Sequence, residues 1–336
     1  MTNPRRLTVF DDRPGLYHCV TRCVRQAFLC ETATACSLCD GESRQAWVER
    51  RILELAESFA VGIYAWAAMS NHCHIVLLLD PLKPDDWSDE EVAQRWCRIN
   101  QYPGRPVPAE TRTRRERALL ENPERLLEIR GRLGSLSWFM RFVNEGVARR
   151  ANAEDGCKGH FWDGRFKSQN LLDDRAALAA MVYVDLNPVR AGIAEQLDQC
   201  NFTSIQWRLH ELRSQPETAT TQLTPLSGVA SSIIPVINVQ SYVELVERTG
   251  LEQRSDKSGS LKPSPPGPTG ANPTDVEWWL LATAGMESHF AGFVGMPDAL
   301  AETARRIGRR WLRGRHLDRS LHTNATRNKP NENPDS

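Results

Sequence analysis

The chain has 336 residues and equal numbers of basic and acidic side chains, 42 of each, so its net charge gives no argument for a polyanionic partner. It contains no apolar run long enough to cross a membrane and no apolar signal segment, which predicts a cytoplasmic protein without a membrane partner. Its nine cysteines, an odd number, indicate free thiols, and the sequence leaves open whether the C-x-x-C pair Cys36 and Cys39 binds a metal.

The first third of the chain predicts the element order β-α-β-β. Alternating residues at 15–22 indicate a strand, and helical spacing at 43–60 behind Ser43 indicates an amphipathic helix with an N-cap. Two β-prone runs, 61–69 and 74–79, are separated by a short polar turn and are typical of a hairpin.

The middle of the chain predicts an insertion and then a helix, a strand and a second helix. Residues 81–134 are rich in Pro, Arg and Glu and indicate a helical or partly mobile insertion without chemistry of its own. Residues 135–153 have helical periodicity, 159–168 indicate a short β segment opened by glycine, and an Ala-rich helix over 175–186 should end or bend at Pro188.

The last third carries weaker signals. We expect a connecting region over 196–254, a Pro/Gly/Ser-rich linker over 255–274 and a helical extension over 275–316. Arginines crowd residues 305–315, where they can dock on nucleic acid or form the polar face of a surface helix. The tail 317–336 is polar and is expected to be disordered.

Two histidines stand two residues apart at the start of a predicted strand. Period-two geometry points His72 and His74 to one face, where two imidazole nitrogens suit a divalent metal. The ordinary alternative is that one caps the turn and the other is packed.

A tyrosine and an amide share a face of the second predicted helix. Tyr183 and Asn187 are four residues apart, in a segment otherwise built of Ala, Val and Leu. Taken alone, a buried tyrosine hydrogen-bonded to an asparagine explains them.

The combination of four segments is more specific than any of its parts. Segments 17–22, 69–74, 159–167 and 183–192 follow one another in an order that resembles the HUH superfamily, and within it the REP-associated tyrosine transposases. The resemblance covers about residues 10–195. Two positions depart from the family pattern without removing a ligand, namely Ser70 and Cys73.

The resemblance implies an α+β catalytic domain over 10–195, with a ferredoxin-like antiparallel sheet and packed helices, interrupted by the insertion. It implies that Tyr183 attacks single-stranded or hairpin DNA as the catalytic nucleophile, leaving a 5′-phosphotyrosine and a free 3′-hydroxyl. His72, His74 and Asn187 would hold Mg²⁺ or Mn²⁺. A nucleoid-associated enzyme of DNA transposition and recombination would follow, acting as a monomer or as a homodimer.

Several basic residues lie on or beside these segments and are predicted to contact DNA, although each is as easily a solvated surface charge. They are Arg22, Arg141, Arg165, Lys167 and Arg190. Two other functions remain open at this point. One is a non-catalytic DNA-binding protein derived from a transposase; the other is a relaxase or replication initiator, which the lack of a helicase-type phosphate loop disfavours.

Overall fold

The computed structural model describes residues 7–27, 30, 42–99, 107–230, 237–252, 279, 282–283 and 286–313. Three eight-residue strands form the centre of its sheet: β1 (Gly15–Arg22), β2 (Val61–Ala68) and β3 (His72–Leu79). Both β2 and β1 pair with β3 in antiparallel register, and β2 and β3 form the hairpin predicted from the sequence.

Three shorter strands extend the sheet on its two sides. They are β4 (Lys167–Leu171), β5 (Ser227–Gly228) and β6 (Phe293–Val294). The strand order is β5-β2-β3-β1-β4-β6, and every pair is antiparallel except β4 with β6. Helices together with a mixed sheet confirm the α+β class.

The helices lie between the strands along the chain, except the last, which follows β6. They are α1 (Arg44–Ala56), α2 (Asp89–Ile99), α3 (Ala109–Leu120), α4 (Pro123–Leu133), α5 (Leu136–Glu154), α6 (Asp174–Asp185), α7 (Asn187–Arg190), α8 (Ser204–Ser214), α9 (Val239–Glu252) and α10 (Pro297–Arg306). Residues 286–289 are also helical. Among the described residues, no helix has the length and apolar character needed to cross a bilayer.

The ends of two helices follow from local sequence. The Ser43 hydroxyl accepts a hydrogen bond from Ala46 N at 3.2 Å, which confirms the predicted N-cap of α1. Helix α6 ends at Asp185, and Pro188 lies in the first turn of α7, where its missing N–H leaves no backbone partner unsatisfied. The predicted break at Pro188 is therefore confirmed.

The two faces of the sheet carry different helices. Alternate residues of β1 and β3 point to opposite sides because the side chains of a strand alternate. Cys73, Ile75 and Leu77 belong to a hydrophobic core with α1, α4 and α5. Val76 and Leu78 belong to a second core, on the opposite face, with α6, α9 and α10.

Two predicted elements differ in extent from the structure. Residues 159–166 form no strand; only an isolated bridge joins Trp162 to Cys23, and β4 begins at Lys167, because the buried side chains Phe161 and Trp162 pack in a loop. Within the helical extension expected over 275–316, the described residues Phe293–Val294 form β6, which pairs with β4. Of the arginines expected on that helix, Arg305 and Arg306 lie in the last turn of α10, and Arg309, Arg310 and Arg313 follow it.

The predicted insertion contains helices, whereas several other predicted segments lie outside the described residues. Residues 81–134 contain α2, α3 and α4, so the helical part of that prediction is confirmed where the structure describes it. The linker 255–274, the tail 317–336 and the pair Cys36 and Cys39 lie outside the described residues. The domain bounds drawn from the sequence stay predictions.

Candidate active site

His72 and His74 lie on the face of β3 that α6 covers. Their ring centroids are 4.9 Å apart. His74 is 1% exposed and His72 is partly buried. Strand alternation places both imidazoles beside the same helix, as the sequence predicted.

His72 is held between two asparagines. Its Nδ1 lies 2.5 Å from Asn71 Oδ1, and since that oxygen only accepts, the ring nitrogen donates. The Asn187 side chain also interacts with this ring and raises its pKa, against the lowering by burial. Burial, helped by the charge of Arg22, lowers the pKa of His72, so the neutral imidazole is favoured.

A third histidine, His18 on β1, stands behind His74. Its Nε2 lies 2.9 Å from His74 Nδ1, and its Nδ1 lies 2.9 Å from Gln169 Oε1. The two rings stack with centroids 5.1 Å apart. Burial lowers the pKa of His18 and holds that of His74 well below its usual value. Both imidazoles are therefore neutral at physiological pH.

Tyr183 presents its ring to this histidine pair from α6. Its centroid lies 5.6 Å from that of His74 and 5.7 Å from that of His18, both edge to face. The tyrosine is 9% exposed, and burial raises the pKa of its phenol while the charge of Arg190 acts in the opposite direction. The hydroxyl is a neutral phenol beside the two histidines.

Helix α7 places two further side chains in the site. Asn187, 7% exposed, reaches His72 as described above. The guanidinium of Arg190 lies 3.6 Å from the centroid of the Tyr183 ring. It also donates to Tyr183 O at 2.8 Å and to Thr283 O at 2.7 Å, so it fixes the tyrosine against the C-terminal segment.

A carboxylate from the C-terminal third completes the group. Glu287 Oε2 accepts a hydrogen bond from Arg22 Nη2 at 2.7 Å. Its other oxygen, Oε1, lies 3.5 Å from the Tyr183 hydroxyl and 3.9 Å from His74 Nε2. Glu287 belongs to a segment without a recognisable motif, 104 positions beyond Tyr183, so nothing in the sequence pointed to it.

His18 and Gln169 were also missed, although one signal was available. His18 occupies an inward position of an alternating strand, and β1 pairs with the strand that carries His72 and His74. A histidine on a predicted strand of the same sheet is therefore a candidate member of the site. Gln169 follows the loop that was expected to be a strand, which hid its place in the sheet.

A divalent ion here would have nitrogen and oxygen ligands. Within the described part of the chain, no group of three or more His, Cys, Asp and Glu side chains forms a ready metal site. The candidate ligands are instead two imidazoles and the Asn187 amide. Both imidazoles are hydrogen-bonded at Nδ1, so Nε2 is the nitrogen that would bind a metal, as in protein sites where a histidine ligand is oriented through its other ring nitrogen. This donor set, completed by water, fits Mg²⁺ or Mn²⁺.

The predicted DNA-contacting residues fall into two groups. Arg22 and Arg190 line the site and are paired with Glu287 and with backbone carbonyls. Arg141 is exposed on α5 beside Glu145, and Arg165 and Lys167 are exposed at the start of β4. Contact of any of them with DNA stays a prediction.

Comparisons with known proteins give little. No family model matches the chain, and no curated protein matches it. Among solved structures, a REP-associated tyrosine transposase bound to a REP hairpin aligns over 70% of this chain and 99% of its own, with 13% identity and a TM-score of 0.33. A similarity of this size carries no conclusion about the fold or the function of the chain.

Proposed function

We propose that the chain is an HUH-type single-tyrosine transposase, a metal-dependent nuclease and strand transferase that cleaves and rejoins single-stranded DNA through a 5′-phosphotyrosine. The observation that carries the proposal is that Tyr183 meets His74 and the His72–Asn187 pair on one face of the sheet. The order β2-β3-β1-β4, antiparallel throughout, supports a ferredoxin-like core for this enzyme.

The nucleophile requires activation because a buried phenol resists ionisation. His72, His74 and Asn187 would hold Mg²⁺ or Mn²⁺ beside Tyr183. The ion, when bound, would polarise the phosphate and offset the charge that develops on its oxygens. Arg190 holds the Tyr183 ring in place for attack, through its contact with the ring face and its bond to the Tyr183 carbonyl.

Glu287 is the group placed to accept the phenolic proton. Its Oε1 is 3.5 Å from the hydroxyl, and Arg22 holds the other oxygen by a hydrogen bond, which positions the side chain beside the nucleophile. In the step we propose, the Tyr183 O–H bond breaks and the proton passes to Glu287. The phenolic oxygen bonds to phosphorus, the bond from phosphorus to the 3′ oxygen breaks, and that oxygen takes up a proton as the 3′-hydroxyl leaves.

The DNA partner we propose is a single strand or a hairpin formed by a repeated element. The exposed side chains of Arg141, Arg165 and Lys167 would contact its backbone, and such contacts weaken as salt rises. The proposal includes a homodimer and an association with the nucleoid.

The test is formation of a covalent adduct. Purified protein is incubated with labelled single-stranded hairpins and Mn²⁺, and a denaturing gel reveals protein-bound DNA. We expect an adduct with the wild type and none with Tyr183→Phe, which should still bind DNA. His72→Ala should lose the metal-dependent reaction, and Glu287→Gln should slow it by about 10²–10⁴-fold, the usual effect of removing a general base.

Matched controls exist for each variant. Tyr64→Phe removes a buried hydroxyl that has no hydrogen-bond partner among the described residues, His210→Ala changes an exposed histidine, and Glu302→Gln changes an exposed glutamate. All three should react like the wild type. An adduct with Tyr183→Phe would exclude Tyr183 as the nucleophile. Binding to every hairpin without any adduct would favour a non-catalytic DNA-binding protein.

A further inference from the structure

Two backbone carbonyls of the C-terminal segment fix the orientation of the Gln169 amide. Gln169 Nε2 lies 3.2 Å from Met286 O and 3.5 Å from Phe290 O. Carbonyl oxygens only accept, so the NH₂ end of the amide must face them. The amide oxygen, Oε1, therefore faces His18 Nδ1, which lies 2.9 Å away and must donate.

The next link is the His18 ring. It is 0% exposed, and such burial disfavours the charged imidazolium. A neutral imidazole has one N–H, and since Nδ1 carries it, Nε2 is an acceptor. That acceptor lies 2.9 Å from His74 Nδ1, so His74 donates from Nδ1 and keeps a lone pair on Nε2.

His74 Nε2 lies 3.9 Å from Glu287 Oε1, which is too far for a hydrogen bond. The Nε2 lone pair is therefore not shared with this carboxylate, and a metal ion held by His72, His74 and Asn187 would take it up.

We propose that Gln169 and His18 are positioning residues that keep the His74 hydrogen on Nδ1 and thereby present Nε2 to the metal ion. The C-terminal segment sets this state through the carbonyls of Met286 and Phe290. Metal binding by His74 Nε2 rests on the proposed function, whereas the position of the hydrogen on His74 Nδ1 does not.

Nuclear magnetic resonance of protein labelled with ¹⁵N-histidine tests the position directly, because two-bond couplings distinguish an Nδ1–H from an Nε2–H imidazole. In metal-free wild type we expect both His18 and His74 to carry hydrogen on Nδ1. In Gln169→Leu, His18 loses its acceptor, so His74 should populate the Nε2–H form. The affinity of the Gln169→Leu protein for Mn²⁺, measured by electron paramagnetic resonance, should fall about 10–100-fold. A loss of this size is usual when the group that orients a metal-binding histidine is removed.

Gln240→Leu, at an exposed position of α9, is the matched control and should change neither readout. Wild-type protein with the His74 hydrogen on Nε2 would overturn the proposal, and this measurement needs no variant that must fold. Unaltered Mn²⁺ affinity in folded Gln169→Leu would also overturn it. Wild type with the expected hydrogen positions but no Mn²⁺ binding would instead contradict the metal site of the proposed function, and with it the metal-presenting role.

Discussion

Asp185, two residues after the candidate nucleophile, is a carboxyl group buried behind the site. It is 0% exposed and accepts hydrogen bonds from Ser204 Oγ and Tyr242 OH at 2.5 Å each and from Ile205 N at 3.0 Å. Burial raises the pKa of Asp185 to about 6, against the lowering effect of those donors. The residue ties α6 to α8 and α9, and this cluster makes the stability of the fold depend on pH.

The direction of that dependence follows from the raised pKa. In the unfolded chain an aspartate has a pKa of about 3.9, so between that value and about 6 the folded protein binds the proton more tightly. The stabilisation is complete below about pH 4 and is lost as pH rises through about 6. We expect the unfolding free energy of the wild type, relative to Asp185→Asn, to fall by on the order of 2–3 kcal/mol between pH 4 and pH 7. Chemical denaturation across that range measures it; a difference that does not change with pH would contradict the prediction.

At the scale of elements, the approach of β5 to β2 depends on a glycine. Gly62 pairs with Gly228, and a Cβ added at Gly62 would lie 2.1 Å from Val229 O, a backbone atom next to β5. No side chain fits between these strands. The glycine thus permits the sheet to continue from β2 to β5.

Two alanine substitutions with opposite effects test this account. Gly62→Ala should lower the unfolding free energy by about 1–3 kcal/mol, because β5 must move away. Gly131→Ala, on the exposed side of α4 where a Cβ meets nothing within 4 Å, should raise it by about 0.5–1 kcal/mol through helix propensity. Denaturant unfolding measures both. Equal stability of Gly62→Ala and wild type would show that β5 does not approach as described.

At the scale of the whole molecule, the C-terminal third shares a core with the predicted catalytic domain. Phe290, Val294 and Leu300 belong to the same buried cluster as Val182 and Tyr183 on α6. Strand β6 also adds to the sheet beside β4. Residues on both sides of the predicted linker therefore bury their apolar surface against each other.

A shared core predicts cooperative unfolding. We expect a single calorimetric transition, and Leu300→Ala, at a fully buried position of α10, should lower the stability of the whole unit by about 2–5 kcal/mol. Leu127→Ala, at a leucine of α4 that is 70% exposed, is the control and should change it by no more than about 0.5 kcal/mol. Two transitions, of which Leu300→Ala shifts only one, would indicate that the C-terminal third folds on its own.

The sequence by itself determined the features that depend on local periodicity. Alternation along β3 put His72 and His74 on one face. The Ser43 cap and the break at Pro188 followed from backbone hydrogen bonding, which short sequences encode directly.

Only the tertiary structure decided which faces meet. Glu287 reaches Tyr183 across 104 positions, and His18 reaches Gln169 across 151. β4 begins later than predicted because the aromatic residues before it are buried in a loop, and β6 exists because β4 offers it an edge. Periodicity states that a face is buried but not what covers it, since that depends on packing between distant segments. The sequence therefore predicted the histidines and the tyrosine, whereas the carboxylate and the hydrogen-bond chain behind them depend on the fold.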